Sequence, residues 1–273
     1  MANIHALKRV EATERGSMKR IIAGICIVAA LGLAIGGGIV WNAYLRAPSA
    51  ELQAMPAHLI ALDSSAGQKL LSRAEGTADF DELMTHFVPQ TRRAYCGVAS
   101  ALTTLNAARS TPTPLDQAQL FAHPRVRANP LKVSFIGMSL DDFATLLRAH
   151  GARVSVVYAS TSDIGKFRDV VRDNLAREGD FLLVNYQRSE LGQAAMGHIS
   201  PLAAFDERSD RLLVLDVAAH KYPPTWVEVE AMWNAMRAPL NPDTTTTRGY
   251  LVVHGDGNGP DALSARATLA DAD

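Results

Sequence analysis

The chain has 273 residues, 48% of them apolar, and a formal net charge of −1. That balance excludes a general electrostatic pull toward nucleic acid and an acidic solvating tail. Two cysteines in the whole chain exclude a disulfide framework.

From Ile21 to Trp41 the chain runs without a charge, matching the roughly 20 residues that cross a bilayer as a helix. Lys8, Arg9, Arg15, Lys19 and Arg20 precede this run, and only Arg46 lies soon after it. The positive-inside rule then puts residues 1–20 in the cytoplasm and the rest of the chain beyond the membrane. The expectation is a single-pass protein of a bacterial inner membrane with its domain facing the periplasm. A cleaved signal peptide is the rival reading, with "APSA" at 47–50 as the cleavage site. Such peptides have shorter apolar cores of about 7–15 residues, so the length favours the anchor. Cys26 lies inside this run and has no reason to pair with Cys96.

Residues 42–75 read as a linker and lead-in, with a short Ser-capped helix in "LDSSAGQKLLSRA". Residues 76–253 carry the domain. A helix begins near Cys96, with Val98, Leu102 and Leu105 at helical spacing. In "SLDDFATLLRAHG", Ser139 caps a second helix, Asp142 sits at its third position and Gly151 stops it. "RVSVVYA" is a strand and "DIGKFRDVVRDNLAREG" a helix. Strand-like runs follow at 181–187, 198–205 and 211–218. Helices first and antiparallel strands later predict an α+β fold of two packed lobes. Residues 254–273, rich in Gly, Asp and Ala, read as a frayed tail.

Cys96 falls at the first turn of its helix, where free N–H groups and the helix dipole favour negative charge. A lowered thiol pKa and a reactive thiolate are expected there. A nucleophilic cysteine needs a base, and the base needs an orienter. The eight histidines show no metal-ligand spacing. His198 opens the strand "HISPLAAF", which turns at 206–210 and returns as "RLLVLDVA". A symmetric five-residue loop would set 205 opposite 211 and 200 opposite 216, placing His198 and Asp216 on one face. A slip of one residue would separate them.

Together, "AYCGVASALTTLNA", "VNYQRSELGQAAMGHISPLAAFD", "LDVAAHKYPPTWV" and "TRGY" resemble the catalytic domain of phytochelatin synthases, from about Pro89 to Val253. The resemblance implies a papain-like cysteine-peptidase fold: a helical lobe with the nucleophile helix and an antiparallel sheet lobe. It implies Cys96 as nucleophile, His198 as base, Asp216 as orienter and Gln90 as oxyanion donor. It implies glutathione as substrate: Cys96 attacks the Cys–Gly carbonyl, glycine leaves, and γ-Glu-Cys passes to water or to a second glutathione. No cofactor is required for glycine release. Cd or Zn, carried as glutathione thiolate, is a candidate stimulant of transfer. Arg188 and Arg248 lie in matching motifs and suit the two carboxylates of glutathione. Asn185, Gln193 and Ser200 are polar neighbours of His198 and complete the expected substrate-binding set. No metal ligands are expected in the protein itself. The partners expected are thiol peptides and the lipid bilayer through residues 21–41, not nucleic acid, and a homodimer is compatible with the chain. Three features depart from the family: Met196 stands where the family usually has Gly, Gln187 where it often has an apolar residue, and the Cys-rich C-terminal region of eukaryotic members is lacking. A papain-like peptidase acting on other peptides is the alternative.

Overall fold

The computed structural model describes residue 22 and residues 24–109, 113–240 and 244–254. The basic stretch 1–20 and the tail after His254 lie outside the described residues. The chain divides into two units, Met1–Arg46 and Ala47–Asp273.

The first unit carries helix α1 (Gly24–Leu45), with a mean hydropathy of 2.2 over its most apolar window and none of that window buried. At 1.5 Å per residue its 22 residues extend about 33 Å, enough to cross a bilayer. Its last turn, Trp41–Leu45, widens to a π-helix.

The second unit begins earlier than the sequence suggests. Residues 47–75 belong to it instead of forming a linker. Glu51 and Gln53 donate backbone hydrogen bonds to His220 and Lys221 at 2.9 Å each. Strand β1 (Ile60–Ala61) then enters the sheet, and helix α2 (Ser65–Leu71) starts where Ser64 accepts from the Gly67 N–H at 3.0 Å. The remaining helices are α3 (Phe80–Thr85), α4 (Cys96–Arg109), α5 (Gln117–Ala122), α6 (Pro130–Ile136), α7 (Leu140–Ala149), α8 (Ile164–Leu175) and α9 (Val229–Arg237). The strands are β2 (Arg153–Tyr158), β3 (Phe181–Gln187), β4 (Gly197–Asp206), β5 (Arg211–Val214), β6 (Thr225–Glu228) and β7 (Gly249–His254).

The seven strands among the described residues form one antiparallel sheet in the order β1-β6-β5-β4-β3-β7-β2. Successive side chains of β3 alternate between two cores. Phe181 and Leu183 join the core that holds α4 and α7, while Leu182, Val184 and Tyr186 join the one that holds α8 and α9. The α+β class holds, but helices cover both faces of a single sheet. Helix α4 is buried along its whole length except Arg109. Its small residues let it lie close on β4, where Ser100 Oγ donates to the Ile199 carbonyl at 3.0 Å. Helix α7 has the expected capping box of Ser139 and Asp142, and Gly151 follows it with φ +89°. Gly249 opens β7 where a Cβ would come within 2.0 Å of the Val157 carbonyl oxygen, so only glycine fits after Arg248.

The β4–β5 hairpin settles the register. Its turn is one residue tighter than expected: Asp206 pairs with Arg211 and Phe205 with Leu212. A bulge between Leu202 and Ala204 then restores the expected alignment, with Leu202 opposite Val214. Leu215 donates to the Pro201 carbonyl at 2.9 Å, continuing that alignment toward Asp216. The slip that would part His198 from Asp216 is cancelled before the chain reaches them.

Candidate active site

Four segments converge at one end of the sheet. Cys96 is the first residue of α4, His198 the second of β4, and Asp216 lies two residues past β5. Gln90 comes from the loop before α4, and its N–H donates to the Val217 carbonyl at 2.8 Å, which ties that loop to the Asp216 segment. All four residues are buried.

His198 Nε2 lies 2.9 Å from Asp216 Oδ1. The N–H is not aligned on the carboxylate, so the contact is electrostatic more than a directed hydrogen bond. With Nε2 turned to Asp216, Nδ1 is the ring nitrogen left for a second partner. Tyr186 stands opposite His198 in the β3–β4 pairing and meets its imidazole edge-on at 5.6 Å between centroids.

Arg188 departs from the place the sequence suggests. A contact with substrate carboxylate is the expectation, yet only 1% of the residue is exposed. One terminal nitrogen donates to Asp216 Oδ1 at 2.6 Å and the other to Gln193 Oε1 at 2.6 Å. Its guanidinium lies 5.1 Å from the Tyr222 ring centroid. Both Arg188 and Gln193 therefore serve Asp216 from inside. The sequence does carry a signal for this: a charged residue at the end of an apolar strand, with an amide five residues on.

Arg248 is also turned inward. It donates through one terminal nitrogen to the carbonyls of Ala238 and Pro239 at 3.0 and 2.8 Å. Its other nitrogens pass over Gly197, where an added Cβ would lie 3.5 Å away. Asn185 is buried opposite Ile199, on the α4 side of the sheet. Ser200 is fully buried with its Oγ 3.5 Å from the Val217 N–H. Gln90 Nε2 donates to the Arg93 carbonyl at 3.1 Å. An amide nitrogen carries two protons, so one stays available to an oxyanion. The first-turn N–H of Cys96 has no intrahelical acceptor and is the natural second donor. Among the described residues, no group of three or more His, Cys, Asp or Glu is placed to hold a metal ion.

The electrostatics overturn one expectation. Burial pushes the Cys96 thiol above its ordinary pKa, against the lowering pull of the Ile199 N–H, the Arg188 charge and the Gly97 N–H. Burial also lowers His198 to about 4, and Arg188 adds to that effect against Asp216. Burial would raise Asp216, but His198 and Arg188 outweigh it and hold the carboxyl far below the usual carboxylate range. Arg188 thus balances the buried Asp216 charge, while burial disfavours the charged forms of both the thiol and the imidazole. An imidazole lowered to about 4 is neutral at pH 7, the form that can accept a proton. Alkylation of Cys96 by iodoacetamide, read from the mass of its own peptide, should keep rising through and beyond about pH 8.5, the ordinary thiol range. A rate already flat at pH 5 would reveal a standing thiolate–imidazolium pair.

Residues 50–250 match the family model described as phytochelatin synthase. Glutathione gamma-glutamylcysteinyltransferase 3 of Lotus japonicus is 32% identical over 202 residues, covering 70% of this chain and 41% of the relative. Glutathione gamma-glutamylcysteinyltransferase 1 of Arabidopsis thaliana is 31% identical over 206 residues, covering 71% and 41%. The glutathione gamma-glutamylcysteinyltransferase of Schizosaccharomyces pombe (strain 972 / ATCC 24843) is 27% identical over 206 residues, covering 73% and 50%. The chain therefore spans half or less of the length of these relatives. On the extent of the match across the region that carries Cys96, His198 and Asp216, the chain belongs to the phytochelatin synthase family.

Proposed function

We propose that the chain is a cysteine acyltransferase and hydrolase that removes glycine from glutathione through a thioester at Cys96. One observation carries the reading: a buried thiol opens α4, and the buried His198–Asp216–Arg188 cluster is built at the β4 and β5 ends of the sheet that α4 packs on. In the first half-reaction Cys96 Sγ attacks the Cys–Gly carbonyl carbon and His198 takes the thiol proton. The Cys96 N–H and the Gln90 amide stabilise the oxyanion. His198 then gives the proton to the departing glycine nitrogen, and γ-Glu-Cys stays on sulfur. Water or the amine of a second thiol peptide resolves the thioester. Asn185, buried opposite Ile199, and Arg248, beside Gly197, are the substrate contacts in this reading, and no metal is needed for the first step. Cd or Zn would act as a thiolate complex of the substrate. The nucleophile helix packed on an antiparallel sheet that delivers the base fits a papain-like arrangement.

Water needs no binding site, whereas an acceptor peptide must offset its ordering entropy through contacts. Hydrolysis should therefore dominate at low glutathione, and the product with two γ-Glu-Cys units should rise with concentration. Mass spectrometry of products over a glutathione series, with and without Cd²⁺, tests the reading. Longer peptides dominating from the lowest concentration would contradict the partition. Cleavage of unrelated peptides with no glycine from glutathione would favour the general peptidase.

Helix α1 supports a membrane anchor through its length and hydropathy. Five Lys or Arg before it, against one soon after, support a domain in the periplasm of a bacterial inner membrane. A reporter that fluoresces only in the cytoplasm, fused after Val253, should stay dark. Bright cells would reverse the orientation.

A further inference from the structure

A pocket of about 190 Å³ lies between α6 and α7 and contains none of the residues assigned above. Val133, Met138 and Leu146 give it apolar wall, while Arg127, Lys132 and Asp142 stand at its lining. Among the described residues, neither the Arg127 nor the Lys132 side chain makes a hydrogen bond or ion pair; Lys132 enters only through its backbone N–H, bound by Asn129. Two free cations beside an apolar recess suit a ligand that combines a carboxylate with a small apolar body.

The pocket wall is fixed to the nucleophile turn. Met138 presses on the start of α4, where a Cβ added to Gly97 would come within 3.2 Å of its sulfur. Tyr95, which precedes Cys96, donates through its hydroxyl to the Pro130 carbonyl at 2.8 Å. Ser134 donates to the same carbonyl at 2.8 Å, and Arg92 donates to Ser134 Oγ at 2.6 Å. Helix α6 therefore holds a set place beside the residues around Cys96.

We infer that this pocket is the acceptor subsite, and that Arg127 and Lys132 hold the C-terminal carboxylate of a second thiol peptide. The inference rests on the reading that γ-Glu-Cys can pass from Cys96 to a peptide amine. Met138 lines the pocket and also touches the first turn of α4, so an extended tripeptide, about 10 Å long, is of a length to lie along that wall with its γ-glutamyl amine toward the thioester. The amine nitrogen bonds to the thioester carbonyl carbon, and the carbon–sulfur bond breaks. The amine loses one proton to His198, which returns it to the Cys96 sulfur.

The test uses the full chain in detergent micelles with concentrated glutathione and Cd²⁺. The quantity measured is two-unit peptide formed per glycine released. Arg127→Ala with Lys132→Ala should lower that ratio about tenfold, the effect of losing a charge-assisted contact. Arg127→Lys with Lys132→Arg should restore it. An unchanged ratio in the double alanine variant would overturn the assignment. So would a raised KM for glycine release at constant ratio, which would make the pocket a donor site. No glycine from the parent protein would overturn the reading beneath it, and the inference with it.

Discussion

Cys96→Ala is expected to abolish glycine release, with a fall of at least about 10⁴-fold, the order seen when a member of a catalytic unit is removed. The substitution deletes a thiol whose surroundings are already small and packed: the neighbours on α4 are Gly97, Val98, Ala99 and Ser100, all buried. The fold should survive, because alanine suits a helix start inside an apolar core. Cys96→Ser should be nearly as inactive. Its hydroxyl is harder to ionise than the thiol, and this site already disfavours a buried anion by desolvation. Glycine release by Cys96→Ala above a few hundredths of the parent rate, with unchanged circular dichroism, would remove the thiol from the mechanism.

His198→Ala should cost about 10³-fold, within the range of general acid–base catalysis. Its loss removes the base for attack and the acid for glycine departure together. Asp216→Asn should be milder in rate but should shift the acid limb of the pH profile. Asp216 raises the His198 pKa, while Arg188 and burial lower it. Removing the carboxylate charge leaves only the lowering influences, so the acid limb should move further down. It also leaves Arg188 buried without its counter-ion, which should lower thermal stability. An acid limb that moves up in Asp216→Asn would mean that the carboxylate does not act on His198.

The readable parts of this chain are those set by local chemistry. The Ser139–Asp142 capping box and Gly151 fix both ends of α7 from the sequence, and the apolar run at 181–187 gives β3 its bounds. The start of α4 at Cys96 and the pairing of His198 with Asp216 are legible through short motifs and the hairpin. The hairpin argument reaches the right pairing because the bulge near Ala203 undoes a tighter turn. Nothing in "HISPLAAFDERSD" signals that bulge. The lead-in escapes a sequence reading because β1 has only two residues and owes its place to β6, far away in sequence. Arg188 escapes it because a guanidinium near a substrate site and one inside a buried ion pair look alike in a string. The thiol pKa follows the same logic: a helix start lowers it, but burial is a tertiary property, and here burial dominates.

The covalent step at Cys96 is read by mixing the full chain with glutathione, quenching in acid within the first turnover, and weighing the Cys96 peptide. The account predicts an adduct equal to γ-Glu-Cys less one water on that peptide, absent from Cys96→Ala and removed by hydroxylamine. Glycine release with no adduct on Cys96, or with the adduct on another residue, would contradict it.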